Sequence, residues 1–311
     1  MHLRRSQTEN FSMSVEHQKD LTKHEPTKDF TKAHVEDDSK KDDIDPVDLD
    51  KVNNPQYVVP YVKEIMAYLR ETEGKYLPKE GYMQKTQTDI NEKMRAILID
   101  WLVDVHLKFK LLPETLFLTV NIIDRYLSQV PIPRQKLQLV GVSAMLISTK
   151  YEEIYPPEVK DFEYVTDRAY NRQEILEMEG KIIAQLNFNL TTTSPYRFLE
   201  RYAKVAGFDE KNFNLARYLL ELALVDYKMI KYLPSNLACS AIYLVNKIHK
   251  REGWSDVMIK HGCYTESQIR PCAKDLCLLL QNAGKGNLQA VKRKFTSTKF
   301  LEVAKIQLDK L

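Results

Sequence analysis

Between Met94 and Phe109 apolar residues occur at Met94, Ala96, Ile97, Leu98, Ile99, Trp101, Leu102, Val103, Val105, Leu107 and Phe109. At 3.6 residues per turn these positions go round the whole helix, whereas a surface helix carries one apolar stripe. The pattern therefore predicts a helix over 94–109 that is surrounded, the central rod of a helical bundle. The exceptions are Arg95, Asp100, Asp104, His106 and Lys108. An arginine buried near the start of such a helix needs a carboxylate partner, and Asp124 in the next segment is the expected one.

Upstream, Tyr61, Ile65, Tyr68 and Leu69 fall at i, i+4, i+7 and i+8, an amphipathic helix whose apolar face must dock on something. A connector over 71–91 leads to the rod. Beyond it the pattern predicts helices at 114–129, 133–152, 157–166 and 171–186, punctuated by Pro113, Pro131, Pro133 and Pro156-Pro157. A second set follows at 194–206, 209–231, 234–250, 255–262 and 265–283. Ser194-Pro195 reads as a helix cap with proline at the first helical position. The two sets look like copies of one five-helix unit joined near 189–193. Ser143-Ala144 precedes Lys150 by six residues as Ser240-Ala241 precedes Lys247, and Tyr170 and Tyr264 each open a fifth helix. Alternating apolar–polar runs are nearly absent and there are only nine glycines, so an all-α fold is expected.

The chain has 311 residues, 43% of them apolar, enough for two cores. Residues 1–54 are polar and carry a net charge of −4, against +7 for the remainder. They are expected to be a disordered acidic tail. A charge of +7 falls short of the dense basic stripe of a dedicated nucleic-acid binder, so no direct nucleic-acid contact is expected. Four cysteines, Cys239, Cys263, Cys272 and Cys277, are too sparse for a disulfide framework and are expected as buried thiols in a reducing compartment. No run approaches the ~18 apolar residues of a membrane span and no signal-peptide pattern opens the chain. A soluble intracellular protein with no membrane contact is expected.

No G-x-x-x-x-G-K-[ST] or G-x-G-x-x-G occurs, so nothing offers a phosphate cradle. His261-x-Cys263 with Pro271-Cys272 fails the spacing of a zinc deaminase. Glu152 and Glu153 are adjacent helix residues that point in different directions, unlike an acid–base pair; solvated or partner-facing charges are expected. No catalytic residue, metal or cofactor is expected.

The segments Met94-Arg95-Ala96-Ile97-Leu98 with Trp101, Asp124-Arg125-Tyr126-Leu127, Lys136-Leu137-Gln138-Leu139-Val140-Gly141 and Lys150-Tyr151-Glu152-Glu153-Ile154-Tyr155-Pro156-Pro157-Glu158-Val159 resemble, in order and spacing, the cyclin box of A- and B-type cyclins. The resemblance covers roughly residues 60–305. Phe198-Leu199-Glu200-Arg201-Tyr202-Ala203-Lys204 and Val291-Lys292-Arg293-Lys294-Phe295 look more like the B-type. It implies a tail over 1–54, an N-terminal helix and connector over 55–93, an N-terminal box over 94–190, a C-terminal box over 191–286 and an extension over 287–311. It also implies a non-catalytic subunit that forms a heterodimer with a cyclin-dependent kinase at G2/M, in nucleus and cytoplasm.

The family's kinase-binding positions match Tyr61, Ile65 and Tyr68 of the N-terminal helix, and Ile147, Lys150, Tyr151, Glu152, Glu179, Phe188 and Leu190. Its substrate-docking groove, which takes Arg-x-Leu segments of substrates and inhibitors, matches Met94, Ile97, Leu98, Trp101, Arg134, Leu137 and Gln138, with Asp104 receiving the basic residue. Arg95 and Asp124 match its structural ion pair. From the residues alone the Met94–Leu98–Trp101 stripe reads as core, and Lys150 and Glu179 as surface charges. Lys108 stands where A-type cyclins carry an acid, which implies a weaker preference for strongly basic motifs. Residues 1–54 contain no Arg-x-x-Leu or Lys-Glu-Asn degradation box. Lys292-Arg293-Lys294 is expected to be a solvated helix face. The rival readings are a transcription-type cyclin and a transcription-factor-B-like core that clamps DNA.

Overall fold

The computed structural model describes residues 44–251 and 253–306. Most of the expected acidic tail, 1–43, lies outside the described residues. From Asp45 the chain forms one compact unit, and among the described residues every regular element is helical.

The first helical repeat comprises α3 (Glu92–Phe109), α4 (Pro113–Leu127), α5 (Leu137–Glu152), α6 (Val159–Val165) and α7 (Arg172–Gln185). The second comprises α8 (Pro195–Val205), α9 (Glu210–Val225), α10 (Pro234–Ile248), α11 (Asp256–Gly262) and α12 (Glu266–Asn282). Before them come α1 (Val62–Thr72) and a single turn, α2 (Tyr82–Lys85); α13 (Ala290–Phe295) follows. Asn91 caps α3 by accepting from the Met94 amide at 3.0 Å, and Ser194 caps α8 with Pro195 at its first position.

The repeat is visible in hydrogen bonds as well as in sequence. Ser143 in α5 donates to the Ile175 carbonyl of α7 (3.2 Å), and Ser240 in α10 donates to the Ile269 carbonyl of α12 (3.1 Å). Tyr170 and Tyr264, each two residues before the fifth helix, reach back to the start of the third, at Gln135 and Ser235. Small residues in the third helix bring its neighbours close enough for these bonds. A Cβ added to Gly141 would sit 2.7 Å from Leu98 Cδ1, so that position sets how closely α3 lies on α5.

The surrounded rod is α5 rather than α3. Every residue from Leu139 to Thr149 is buried, with α3, α4, α6 and α7 around it. α3 lies between the repeats, against α4, α5, α9 and α13, and leaves Ile97 52% exposed. An all-round apolar helix thus serves two cores at once: Val103 joins the second core while Leu98, Leu102 and Val105 join the first.

Several segments differ from those expected; α5, for one, begins at Leu137 after a 3-10 turn, Arg134–Lys136, rather than at 133. The expected helix over 209–231 ends at Val225. Asp226 turns extended and caps a 3-10 turn, Tyr227–Lys231, by accepting from Lys228 N, an arrangement in which its carboxylate competes with the helical backbone. The tail ends before residue 54: Pro46–Lys51 form a 3-10 turn, and buried Asp48 binds Arg201 (2.6 and 2.7 Å) and Lys204 (2.9 Å) of α8. The 71–91 connector is packed: Tyr82 is 1% exposed, and Gln87 bonds the Leu127 and Val130 carbonyls and the Ile132 amide.

Of the apolar face expected to dock, only Leu69 meets the second repeat, beside Met66 against its core, with Arg70 to the Tyr202 hydroxyl and His261 carbonyl and Glu73 to Ser235; Tyr61, Ile65 and Tyr68 stay exposed. The basic triplet is a solvated face only in part: Lys294 turns inward, while Arg293 stays exposed and Lys292 half-buried. Arg293 binds Asp104, and Lys294 is buried against Glu221 of α9.

Candidate functional site

Arg95 is 1% exposed and fully partnered. Its Nε and Nη2 donate to the two Asp124 oxygens at 2.6 and 2.7 Å, and Nη1 donates to the Leu224 and Val225 carbonyls that end α9. Tyr82 donates to the same carboxylate at 2.8 Å. Burial, then the Asp124 charge, pushes the Tyr82 phenol well above its ordinary range. The pair thus joins the two repeats by capping a helix end of the second, a contact that spacing along the chain cannot reveal.

Two surfaces remain around this brace. The first follows the C-terminal ends of α5 and α7. Lys150 donates to both oxygens of Glu179 at 2.7 and 2.9 Å. Beside it Tyr151 is 47%, Ile154 85%, Tyr155 91% and Phe188 75% exposed, a concentration of large apolar side chains unusual for a surface facing only water. Tyr151 hydroxyl meets Thr191, in the linker between repeats. That linker also touches α1, through Thr193 with Thr72 and the Leu69 carbonyl, and the connector after it, through Asn189 with Tyr76. Tyr61, just before α1, and Ile65 and Tyr68 within it are exposed. Ile147 is different: at 2% exposure it is core, lying beneath this edge rather than on it. Leu190 is half-buried against the same core.

Glu152 is half-buried, and burial, then Glu114 and Glu153, raises its carboxyl. Glu153, expected to be solvated or partner-facing, instead accepts from the Leu112 amide and the Thr115 hydroxyl at the start of α4. Ile154 and Tyr155 were not singled out from the sequence; their position after a buried helix and before Pro156-Pro157 was the available signal.

The second surface lies where α3 faces the start of α5. Leu98 and Leu137, each 5% exposed, form the floor, so these two are core. Met94, Trp101 and Gln138 are half-buried and Ile97 stands out. Arg134 is held by Asp89, with Nη2 to Oδ1 at 2.6 Å. Past Trp101 a cavity of about 330 Å³ continues between Asp104, Lys108, Tyr164 and Asp167. Lys108 Nζ sits 4.5 Å from the Tyr164 ring, a cation–π contact.

Of the four thiols, Cys239 and Cys272 are buried, Cys277 is half-buried and Cys263 is exposed, which corrects the expectation for the last. Burial pushes the Cys272 thiol up to about 12. His261 pairs with Asp45 at 3.2 Å.

Residues 64–191 match the family model for the cyclin N-terminal domain, and residues 193–309 that for the cyclin C-terminal domain. A G2/mitotic-specific cyclin-B of Dictyostelium discoideum is 44% identical over 84% of this chain, which spans 60% of that relative's length. One of Marthasterias glacialis is 43% identical over 85% of this chain and 68% of its own length. The crystal structure of a viral cyclin from herpesvirus saimiri superposes with a TM-score of 0.62 at 19% identity, covering 69% of this chain and 97% of that one, and shares its fold. With both cyclin domains in tandem and relatives of this identity along most of its length, the chain belongs to the cyclin family, beside its B-type members.

Proposed function

We propose that this chain is a non-catalytic regulatory subunit that binds and activates a cyclin-dependent Ser/Thr kinase at G2/M. The observation that carries this reading is the exposed apolar edge of Tyr151, Ile154, Tyr155 and Phe188 around the Lys150–Glu179 pair. Such an edge, continued by Tyr61, Ile65 and Tyr68, suits an interface on the order of 2,000 Å². Pressed on the kinase's mobile αC helix, it holds the αC glutamate on the β3 lysine and so selects the active state. The Lys150–Glu179 pair offers charged hydrogen-bonding groups within the apolar field, which fix orientation. The mitotic names of the B-type relatives support the stage.

The α3–α5 groove is proposed to recruit Arg-x-Leu segments of substrates and inhibitors. Ile97, Met94 and Trp101 offer an apolar slot for leucine, with Asp104, paired to Arg293 of α13, at its rim.

The test mixes the purified chain with a purified monomeric cell-cycle kinase and ATP and measures phosphate transfer to a Ser-Pro peptide. Activity is expected only in the mixture. No activation of any such kinase, together with retention of DNA in a gel shift, overturns the reading in favour of a DNA-clamping core.

A further inference from the structure

We propose that Arg293 occupies the acidic rim of the α3–α5 groove and makes this groove select docking segments by their apolar anchors, with little gain from a basic residue. The proposal rests on the docking role assigned to the groove above. One nitrogen of Arg293, Nη2, lies 2.7 and 2.6 Å from the two Asp104 oxygens, so both are engaged by the chain itself. Asp104 is one turn past Trp101 on α3, where a cation of a bound segment would be received.

The position of Arg293 is imposed from both sides along α13. Asp100, one turn before Asp104, accepts from the Ala290 amide at 3.0 Å. Lys294, next in sequence, is locked into its buried pair with Glu221. The backbone of α13 is therefore held, while the Arg293 and Asp104 side chains are 61% and 43% exposed. An exposed pair contributes little and exchanges readily. An incoming arginine thus trades one exposed pair for another and gains almost nothing.

The rest of the rim points the same way. Lys108, one turn further, stands over Tyr164 at the edge of the cavity. Arg293 is thus paired with Asp104, and Lys108 lines the same cavity as Asp104 and Asp167. What remains to distinguish one segment from another is burial against Met94, Ile97 and Trp101.

The test measures binding of two labelled Arg-x-Leu peptides to the full chain by fluorescence anisotropy, the second carrying citrulline for the motif arginine. The native chain is expected to bind both through Trp101, with affinities within about twofold. Arg293→Gln is expected to tighten the arginine peptide by about three- to fivefold and leave the citrulline peptide unchanged, the size of one exposed ion pair.

An arginine-to-citrulline ratio that stays the same in Arg293→Gln overturns the proposal while the groove stands. Binding of neither peptide, or binding indifferent to Trp101→Ala, overturns the docking role and the proposal with it.

Discussion

Lys294 Nζ lies 2.8 and 2.6 Å from the two oxygens of Glu221, and neither side chain has any exposure to solvent. This pair anchors α13 to α9. Arg217 adds a second cation to Glu221 at 3.0 Å. Burial works to raise the Glu221 carboxyl, but Lys294 and Arg217 outweigh it and keep it below its ordinary range, ionised.

Removing one partner leaves a charge buried. Lys294→Met is expected to destabilise the chain by about 3 kcal/mol, at the lower end for broken buried pairs because Arg217 stays. Lys294→Met with Glu221→Met and Arg217→Met, which leaves none of the three charges stranded, should recover most of that. Urea unfolding of the three proteins checks both; a single variant as stable as the parent would show that the pair does not hold α13.

His106 stands beside this pair. Its Nε2 lies 3.0 Å from the Leu112 carbonyl, which it meets as a donor, while buried Nδ1 has no partner among the described residues. Burial, then the Lys294 charge, pushes its pKa down to about 3. An unfolded histidine takes up a proton below about 6.5 and this one does not. Stability is therefore complete above that pH and falls as pH drops toward 3, by up to about 1.4 kcal/mol per unit. Between pH 6.5 and 5 the parent should lose about 2 kcal/mol more than His106→Gln. Parallel pH profiles of the two proteins would refute it.

Lys150→Ala with Glu179→Ala should abolish kinase activation and leave the fold intact, because this half-exposed pair contributes about 1 kcal/mol or less to stability. Kinase assay and thermal melting on one preparation check it. Full activation by the double variant removes Lys150 and Glu179 from the interface.

Met94→Ala with Trp101→Ala should spare phosphorylation of a short peptide and lose substrates that depend on Arg-x-Leu. Both residues are half-buried, so a modest loss of stability is expected as well, readable in a melt. Equal loss on both substrates would assign the stripe to the core alone.

Periodicity and punctuation were enough for the all-α class, the paired five-helix sets and most helix ends, because those depend on neighbours three and four residues apart. Ser143 and Ser240, seven residues before Lys150 and Lys247, even marked the matching bonds to α7 and α12. The Arg95–Asp124 pairing was legible from the cost of burying a lone guanidinium; its grip on the end of α9 was not.

Only the tertiary structure decided which helix is enclosed, since the patterns of α3 and α5 are both apolar all round and differ in how many neighbours surround them. It placed Ile147 beneath the exposed edge, and Leu98 and Leu137 in the groove floor, by packing that one-dimensional spacing does not encode. It turned one residue of the basic triplet inward, seating Lys294 on Glu221, and paired exposed Arg293 with Asp104. It also bound Asp48 to Arg201, 153 residues away. A charge's partner depends on which surfaces folding brings together, and a charge run read along the chain shows only the net sign.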